Sequence, residues 1–463
     1  ARIDPRLRPW CRLERHPARH RGARPRDPDH LHRRPWSRLR CRRLAHRLPD
    51  RTHRPGRCPS RLQASAHHLH HRPVAVGHPR PRGGPGMTLD DIRSLDGTAL
   101  RYALMDLAKE VPNAIALGRG DPDLATPAHV VAAAKAALAQ PHQPLAPIAG
   151  TPELRAAIAR RARQDHGLDV EASEVLVTTG GQEGLFLVMS ALLDPGDEIL
   201  VPDPRYTSYD QAIEHAGGVS VPVPTHPEDA FDLHADAIEA RITERTKALL
   251  MVTPSNPTGG IVTRAQAEKI AALAKKHNFI VISDEIYGKF VWPPHEHVSI
   301  GSLPGMEHHT ITLSGFSKAW AMTGWRVGYV IAPANAIDAM ARIKASTTGP
   351  VSNVSQAAAL AAAEADDACI DAFREIYAER RTLLSNGLNA MGLPHPEPRG
   401  GFFFWANASS TGLRALELSY LLLREASVLV FPGTGFGANW GDYLRITTLQ
   451  PTEVLAEAVQ RMT

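Results

Sequence analysis

The chain has 463 residues, of which 43% are hydrophobic and 22% are charged, as in an ordinary globular protein large enough for two or more domains. No uninterrupted apolar run reaches the roughly 18 residues that a membrane-spanning helix needs, so a membrane partner is not expected. The net charge of +5 would favour a nucleic-acid partner if that charge were evenly spread.

The positive charge is concentrated in residues 1–86. This leader holds 23 arginines, five acidic residues and no lysine, so the other 377 residues are acidic, with 30 basic against 43 acidic side chains. We therefore expect no nucleic-acid partner. Three of the four cysteines also lie in the leader, and only Cys369 remains beyond it, which excludes a disulfide framework and favours a reducing, cytoplasmic location.

The leader itself is rich in Arg, His and Pro and has no periodic apolar face, so we expect disorder. Its charged start lacks the apolar segment of a secretory signal. Three explanations compete: a basic tail that binds anions or nucleic acid, an organellar transit peptide, or a mis-called start. We favour the third, with the true start at Met87, because the composition becomes ordinary there and Met87 is the first methionine.

The body begins with an arm and predicted helices over residues 98–111, 129–140 and 151–166. Between the first two helices, residues 117–127 form a loop constrained by Gly118, Gly120 and two prolines. This loop is either a simple turn or a segment that closes over a ligand.

Strands and helices then alternate, which is typical of an α/β fold with a mostly parallel sheet flanked by helices. Helices are predicted over residues 206–215, 235–240 and 264–276. The seven predicted strands cover residues 175–178, 198–201, 220–223, 248–252, 279–283, 310–313 and 327–331.

A glycine-rich turn joins the first of these strands to an apolar helix at residues 179–183, Thr-Gly-Gly-Gln-Glu. Glycines permit close approach, and the free N–H groups of the helix start face an anion, so Gly181 and Gln182 are candidate phosphate ligands. The pattern is neither a Walker loop nor a full dinucleotide fingerprint.

Polar side chains follow several other strands: Tyr206, Asn256, Asp284, Tyr287 and Lys318. Four of these have an ordinary alternative, since the tyrosines could be core residues, the asparagine a turn former and the lysine a solvated charge. Asp284 is harder to dismiss, because a carboxylate just beyond a buried strand needs a partner. Because the carboxyl ends of parallel strands share one sheet edge, where such sheets bind ligands, their coincidence predicts an active site. Arg326, eight positions after Lys318, could grip a phosphate.

The remaining chain is predicted to be a smaller α+β domain, with a long helical stretch over residues 346–391, a helix over 413–426 and aromatic strands. The Gly-Thr-Gly at residues 433–435 is interpreted as a plain turn. The predicted divisions are an N-terminal arm and part of the small domain at 87–125, a large cofactor-binding domain at 126–340 and the small C-terminal domain at 341–463.

Together these segments resemble the class I and II aminotransferases, fold type I enzymes that use pyridoxal phosphate. The likeness runs over residues 115–446 and is greatest to the prokaryotic aspartate and aromatic subgroup. Its motifs are Ser-Asn-Pro-Thr-Gly at 255–259, Ser-Asp-Glu-Ile-Tyr at 283–287, Ser-Lys at 317–318, Met-Thr-Gly-Trp-Arg-Val-Gly-Tyr at 322–329 and Tyr-Leu-Arg at 443–445.

The resemblance implies catalytic roles for Lys318, Asp284 and Tyr287. Lys318 would attach the cofactor and move the substrate proton, and Asp284 would hold the pyridinium nitrogen protonated. Other implied cofactor contacts are Gly181, Gln182, Tyr206, Asn256, Ser317 and Arg326, and the implied substrate contacts are Arg445, Asn256 and Gly120. No metal is implied.

The family pattern is broken at two positions. Leu145 replaces a tyrosine that reaches the partner subunit's phosphate, and Gly315 replaces a serine three residues before the lysine. The implied reaction is ping-pong transfer of an amino group from an L-amino acid to a 2-oxo acid by a homodimer. A β-lyase on the same fold is the alternative. The cofactor-binding sensor domain of a DNA-binding regulator is a third hypothesis.

Overall fold

The computed structural model describes residues 87–95 and 97–463. The expectations for residues 1–86, including the disorder and the start at Met87, therefore concern a segment outside the described residues. Within the described ranges, no helix is long and apolar enough to cross a membrane.

The described strands form three sheets. In chain order they are β1 Ile115–Ala116, β2 Val175–Thr178, β3 Glu198–Asp203, β4 Val219–Pro224, β5 Thr246–Val252, β6 Ile280–Asp284, β7 Thr310–Gly315, β8 Gly328–Ile331, β9 Phe403–Asn407, β10 Val428–Leu429, β11 Phe431–Pro432 and β12 Tyr443–Thr447.

The large sheet has seven strands in the order β2-β8-β7-β6-β5-β3-β4. Strand β8 is antiparallel to both of its neighbours, whereas β3 pairs in parallel with β4 and β5, and β6 with β5 and β7. The prediction of a mostly parallel seven-stranded sheet is confirmed. Its central strands are buried over most of their length because helices cover both faces.

The helices are α1 Leu89–Arg93, α2 Gly97–Ala108, α3 Ala128–Leu138, α4 Pro152–His166, α5 Gly180–Leu192, α6 Ser208–His215, α7 Ala235–Glu239, α8 Arg264–His277, α9 Ala334–Ala345, α10 Asn353–Glu364, α11 Ala368–Ala390, α12 Ala415–Glu425 and α13 Thr452–Met462. One buried cluster packs α8 against β5, with Ile270 and Leu249 among its members. Another packs α3, α4 and α10 beside β2.

The two small sheets are built mainly from the later part of the chain. Strands β11, β12 and β9 are antiparallel, and the short strand β1 pairs in parallel with β10. The backbone of Leu117 donates to Leu429 O at 2.8 Å and accepts from Thr447 N at 2.8 Å. These bonds fix the loop that follows β1 to the small sheets.

The predicted helical stretch at 346–391 is two helices rather than one. Gly349, with φ +70°, and Pro350 delay the start of α10 until Asn353. A second interruption separates α10 from α11, where Asp367 forms salt bridges with Arg161 and Lys289. The predicted turn at 433–435 is a 3₁₀ turn, Gly433–Phe436.

Candidate active site

The carboxyl ends of the large-sheet strands open into a cavity of about 440 Å³. Side chains or backbone of every predicted site residue line it, and these are Gly120, Gly181, Gln182, Tyr206, Asn256, Asp284, Tyr287, Ser317, Lys318, Arg326 and Arg445. The structure therefore brings the whole predicted set to one place, as the shared sheet edge requires.

Lys318 lies three residues beyond the end of β7 and points into the cavity. Its Nζ donates to the carbonyl of Gly120 at 2.7 Å and lies 3.6 Å from the Asp121 carboxylate. Burial lowers the pKa of the Lys318 ammonium, although the Asp121 charge opposes that effect. A lysine with a lowered pKa is suited to act as a nucleophile and a general base.

Asp284 is the last residue of β6 and is half-buried at the edge of the cavity. Burial raises its pKa to about 6, even though the Tyr209 hydroxyl donates to it at 2.8 Å and the Ile286 N–H at 3.2 Å. A carboxylate in this position is well placed to hold a buried cation. Tyr209 was not predicted from the sequence, where its only signal is its position about one helical turn after Tyr206.

The predicted phosphate cradle lies at the start of α5. A side chain at Gly181 would meet no atom within 4 Å, so this backbone faces open space. Arg326 has a left-handed φ of +56° and donates to the carbonyls of Thr179 at 3.4 Å and Thr323 at 3.2 Å. A Cβ on Gly180 would collide with its guanidinium. Helix start and arginine together can bind a phosphate.

Arg445 reaches the cavity from β12. It donates to Asn256 Oδ1 at 2.8 Å and to the Gly118 carbonyl, while Asn256 also bonds the Tyr287 hydroxyl. Burial, reinforced by the charge of Arg101, lowers the pKa of Arg445 to about 9. Its Nε is buried and has no hydrogen-bond partner among the described residues, so the guanidinium keeps one unused donor.

Arg101, in α2, is a second buried guanidinium that the sequence analysis missed. It is 8% exposed, lies 5.0 Å from the ring centres of both Tyr206 and Phe436, and lines the same cavity. It donates to the Thr98 and Thr207 hydroxyls at 3.0 and 2.9 Å. Within the described ranges neither Arg101 nor Arg445 forms a salt bridge.

Beside Asp284 lies a group of potential metal ligands, His166, Glu285 and His297, whose ligand atoms are within 4.8 Å of one another. Glu285 accepts from His297 Nε2 at 3.1 Å and from Ser283 at 2.8 Å, and Ser299 donates to it at 2.9 Å. These bonds account for both oxygens of Glu285, and the expectation of a metal-free site stays a prediction.

The two departures from the family pattern have different surroundings. A Cβ on Gly315 would lie 2.8 Å from the Gly328 Cα, and one on Gly328 would lie 2.7 Å from the Gly180 carbonyl carbon. The three backbones are therefore packed directly on one another, and a serine at 315 would not fit. Leu145 is 83% exposed, and the loss of an interfacial contact there stays a prediction.

Comparison with known proteins gives a consistent result. A model of the family described as aminotransferase class I and II matches residues 112–462. The chain is 40% identical over 379 residues to the aspartate aminotransferase of Pyrococcus abyssi, covering 81% of this chain and 97% of that protein. It is 38% identical, with the same coverage, to aromatic-amino-acid aminotransferase 2 of Thermococcus litoralis.

The fold is likewise similar to solved structures. The aspartate aminotransferase from Thermus thermophilus with maleate matches at a TM-score of 0.75 and 39% identity, covering 81% of this chain and 98% of that chain.

Proposed function

This chain belongs to the class I and II aminotransferase family and is a pyridoxal-phosphate-dependent transaminase, and from that premise we propose that its substrates carry two carboxylates. The donor would be an acidic L-amino acid and the acceptor an acidic 2-oxo acid. The observation that carries this proposal is Arg101, a second buried guanidinium in the cavity that Arg445 lines. The relatives give no support to the β-lyase or regulator hypotheses.

The residues present fit pyridoxal phosphate, which supplies an electron sink for negative charge at the substrate Cα when it is bound. Gly181, Gln182, Ser317 and Arg326 would hold its phosphate, because an open helix start and a guanidinium converge there. A side chain at Gly181 would project into the open space that the phosphate would fill.

Four residues would hold the ring of the cofactor. The Asp284 carboxylate would accept a hydrogen bond from the protonated ring nitrogen, and this cation would add an ion pair to the bonds from Tyr209 and Ile286. Tyr287 and Asn256, already bonded to each other, would donate to the ring oxygen. Tyr206 would pack on the ring face.

Lys318 would take the proton from the substrate Cα as the general base. Its Nζ already lies in the cavity, and burial favours the neutral amine that this step needs. The bond to the Gly120 carbonyl would hold the amine beside the loop that follows β1. Gly120 would thereby border the substrate as well.

Arg445 would bind the α-carboxylate of the substrate, and Arg101 would bind the second carboxylate. The two guanidinium carbons lie 4.5 Å and 5.0 Å from the centre of the same Phe436 ring, so two unpaired cations share one buried region. Anionic groups on the substrate would relieve that repulsion. Maleate, present with the Thermus relative, is itself a dicarboxylate.

The test is a substrate panel on Arg101→Gln and Arg101→Lys variants. With aspartate and glutamate, kcat/KM should fall by about tenfold or more in Arg101→Gln, the loss expected for one charge-assisted hydrogen bond. With alanine and phenylalanine it should change little. Arg101→Lys keeps the charge and should retain more of the activity on aspartate.

Arg119→Gln is the matched control, because Arg119 lines the same cavity but is exposed and paired with Asp121. An equal loss for acidic and apolar donors in Arg101→Gln would contradict the proposed substrate class. A wild-type protein with no transaminase activity on any donor would instead overturn the function itself.

The homodimer and the cytoplasmic location are further proposals. Leu138 and Leu145 are 68% and 83% exposed in the single chain, and apolar residues of this size on the surface favour burial against a second copy. Light scattering on the purified protein should give twice the chain mass. Cell fractionation would test the location.

A further inference from the structure

A buried ion pair lies beneath the phosphate cradle. Lys344 in α9 is fully buried, and its Nζ donates to the two carboxylate oxygens of Glu183 at 2.8 and 2.7 Å. Glu183 belongs to the first turn of α5, whose start forms the cradle. The pair therefore links two helices that are 161 residues apart in sequence.

Glu183 is also bonded to the backbone of the cradle itself. The N–H of Thr179 and the hydroxyl of Thr348 both donate to its carboxylate. Burial alone would raise the pKa of Glu183, but the bonds from Lys344, Thr179 and Thr348 outweigh it and lower that pKa. The carboxylate is therefore ionised and has a full set of donors.

The peptide groups of Thr179 are consequently fixed from two sides. Glu183 holds its N–H, while Arg326 donates to its carbonyl at 3.4 Å. The next residue, Gly180, packs directly against the Arg326 guanidinium. Any movement of Glu183 would thus displace the backbone N–H groups that face the cavity.

The charge of Lys344 has a second effect. A carboxylate in the first turn of a helix occupies the positive end of the helix dipole, where it would repel a phosphate bound at the same end. Lys344 neutralises that carboxylate without entering the cavity, since it is not among the residues that line it. Glu183 can therefore accept the bond from the Thr179 N–H without strongly repelling an anion bound in the cradle.

We propose that Glu183 and Lys344 are positioning residues that set the affinity of the cradle for the phosphate of the cofactor. They act through the backbone of Thr179, Gly180 and Gly181 and touch neither cofactor nor substrate. This inference rests on the proposed assignment of residues 179–182 to the phosphate.

The experiment compares the apoenzyme forms of wild type, Lys344→Met, Glu183→Gln and the double variant. Fluorescence titration gives the Kd for pyridoxal phosphate and, separately, for pyridoxal, which lacks the phosphate. In Lys344→Met the Kd for pyridoxal phosphate should rise by about tenfold or more, because an unneutralised carboxylate remains at the cradle. The Kd for pyridoxal should stay within about twofold of wild type.

The double variant removes both charges and should fold even if Lys344→Met does not, because no unpaired buried charge is left. Its Kd for pyridoxal phosphate should lie between those of wild type and Lys344→Met, and the phosphorus resonance of the bound cofactor should shift. Glu198→Gln is the matched control, since Glu198 also pairs with a cation and a threonine hydroxyl, but its partners are Arg245 and Thr243 and not the backbone of the cradle.

Two results would overturn the inference. The first is an unchanged affinity of the double variant for pyridoxal phosphate, and the second is a loss of affinity for pyridoxal in Lys344→Met that equals its loss for pyridoxal phosphate. Either result with a wild type that binds pyridoxal phosphate leaves the proposed function intact. A wild type that binds neither compound would reject the assignment of the cofactor site as well.

Discussion

Replacing Asp284 by Asn should stabilise the apoenzyme while it removes activity. Burial raises the pKa of this carboxylate from 3.8 to about 6 in the folded protein. Because the pKa is higher in the folded state than in the unfolded state, the contribution of Asp284 to the free energy of unfolding is fully present below pH 3.8. This contribution is lost as the pH rises through about 6. A difference of roughly two pKa units corresponds to about 3 kcal/mol of lost stability at pH 8.

Asparagine has the shape of aspartate and carries no charge; its Oδ1 can accept from the Ile286 N–H while its amide nitrogen donates to the Tyr209 oxygen. The free energy of unfolding of apo Asp284→Asn should therefore exceed that of apo wild type by about 3 kcal/mol at pH 8, and the difference should shrink towards pH 4. Urea titrations of the two apoenzymes at several pH values measure it. Transaminase activity of the variant should fall by about 10² to 10³.

Glu198→Gln is a control whose stability should change in the opposite direction. The hydroxyl of Thr243 and the guanidinium of Arg245 lower the pKa of the Glu198 carboxylate. Its stabilising contribution is therefore present at neutral pH, so the glutamine variant should be less stable than wild type at pH 8. The reasoning on Asp284 fails if apo Asp284→Asn is no more stable than wild type at pH 8, or if its advantage does not depend on pH.

The other predictions concern single side chains of the site. Lys318→Ala should show neither the visible absorbance of lysine-bound cofactor nor turnover, and a variant that keeps both would refute the role of this lysine. As the pH is lowered, the affinity of Tyr209→Phe for the cofactor should begin to fall at a higher pH than that of wild type, because the bond from the Tyr209 hydroxyl lowers the pKa of Asp284. Tyr377→Phe is the control: it removes a buried hydroxyl with no partner in the described chain and should leave this pH dependence unchanged. Leu145→Tyr should lower the Kd for pyridoxal phosphate by about threefold to tenfold if the residue contacts the partner's phosphate, and unchanged binding would show that it does not.

The site could be predicted from sequence where its residues follow strands directly. Asp284 and Lys318 come at or just after the ends of buried, β-branched strands, and a parallel sheet necessarily brings such ends together. The glycine turn that opens α5 was recognisable for the same reason, since a strand followed by two glycines and a helix leaves few backbone geometries.

Arg101, Tyr209 and Lys344 could not be found in this way. Each lies inside a helix or beside one, where a polar residue is ordinarily exposed, and each owes its role to a partner far along the chain. The break between α10 and α11 was missed because an alanine-rich stretch has helical propensity throughout. Its position instead reflects the salt bridges of Asp367 with Arg161 and Lys289.

The contact of Gly315, Gly328 and Gly180 bears on how the two ends of the site are spaced. The strand that leads to Lys318 and the turn that forms the cradle are separated by β8 alone, and at these positions backbone meets backbone. Side chains change rotamer and can be repacked by substitutions, whereas stacked main chain has no such freedom. The distance between the amine and the phosphate grip is thus fixed by peptide dimensions, and it should survive sequence change that reshapes the substrate side of the cavity.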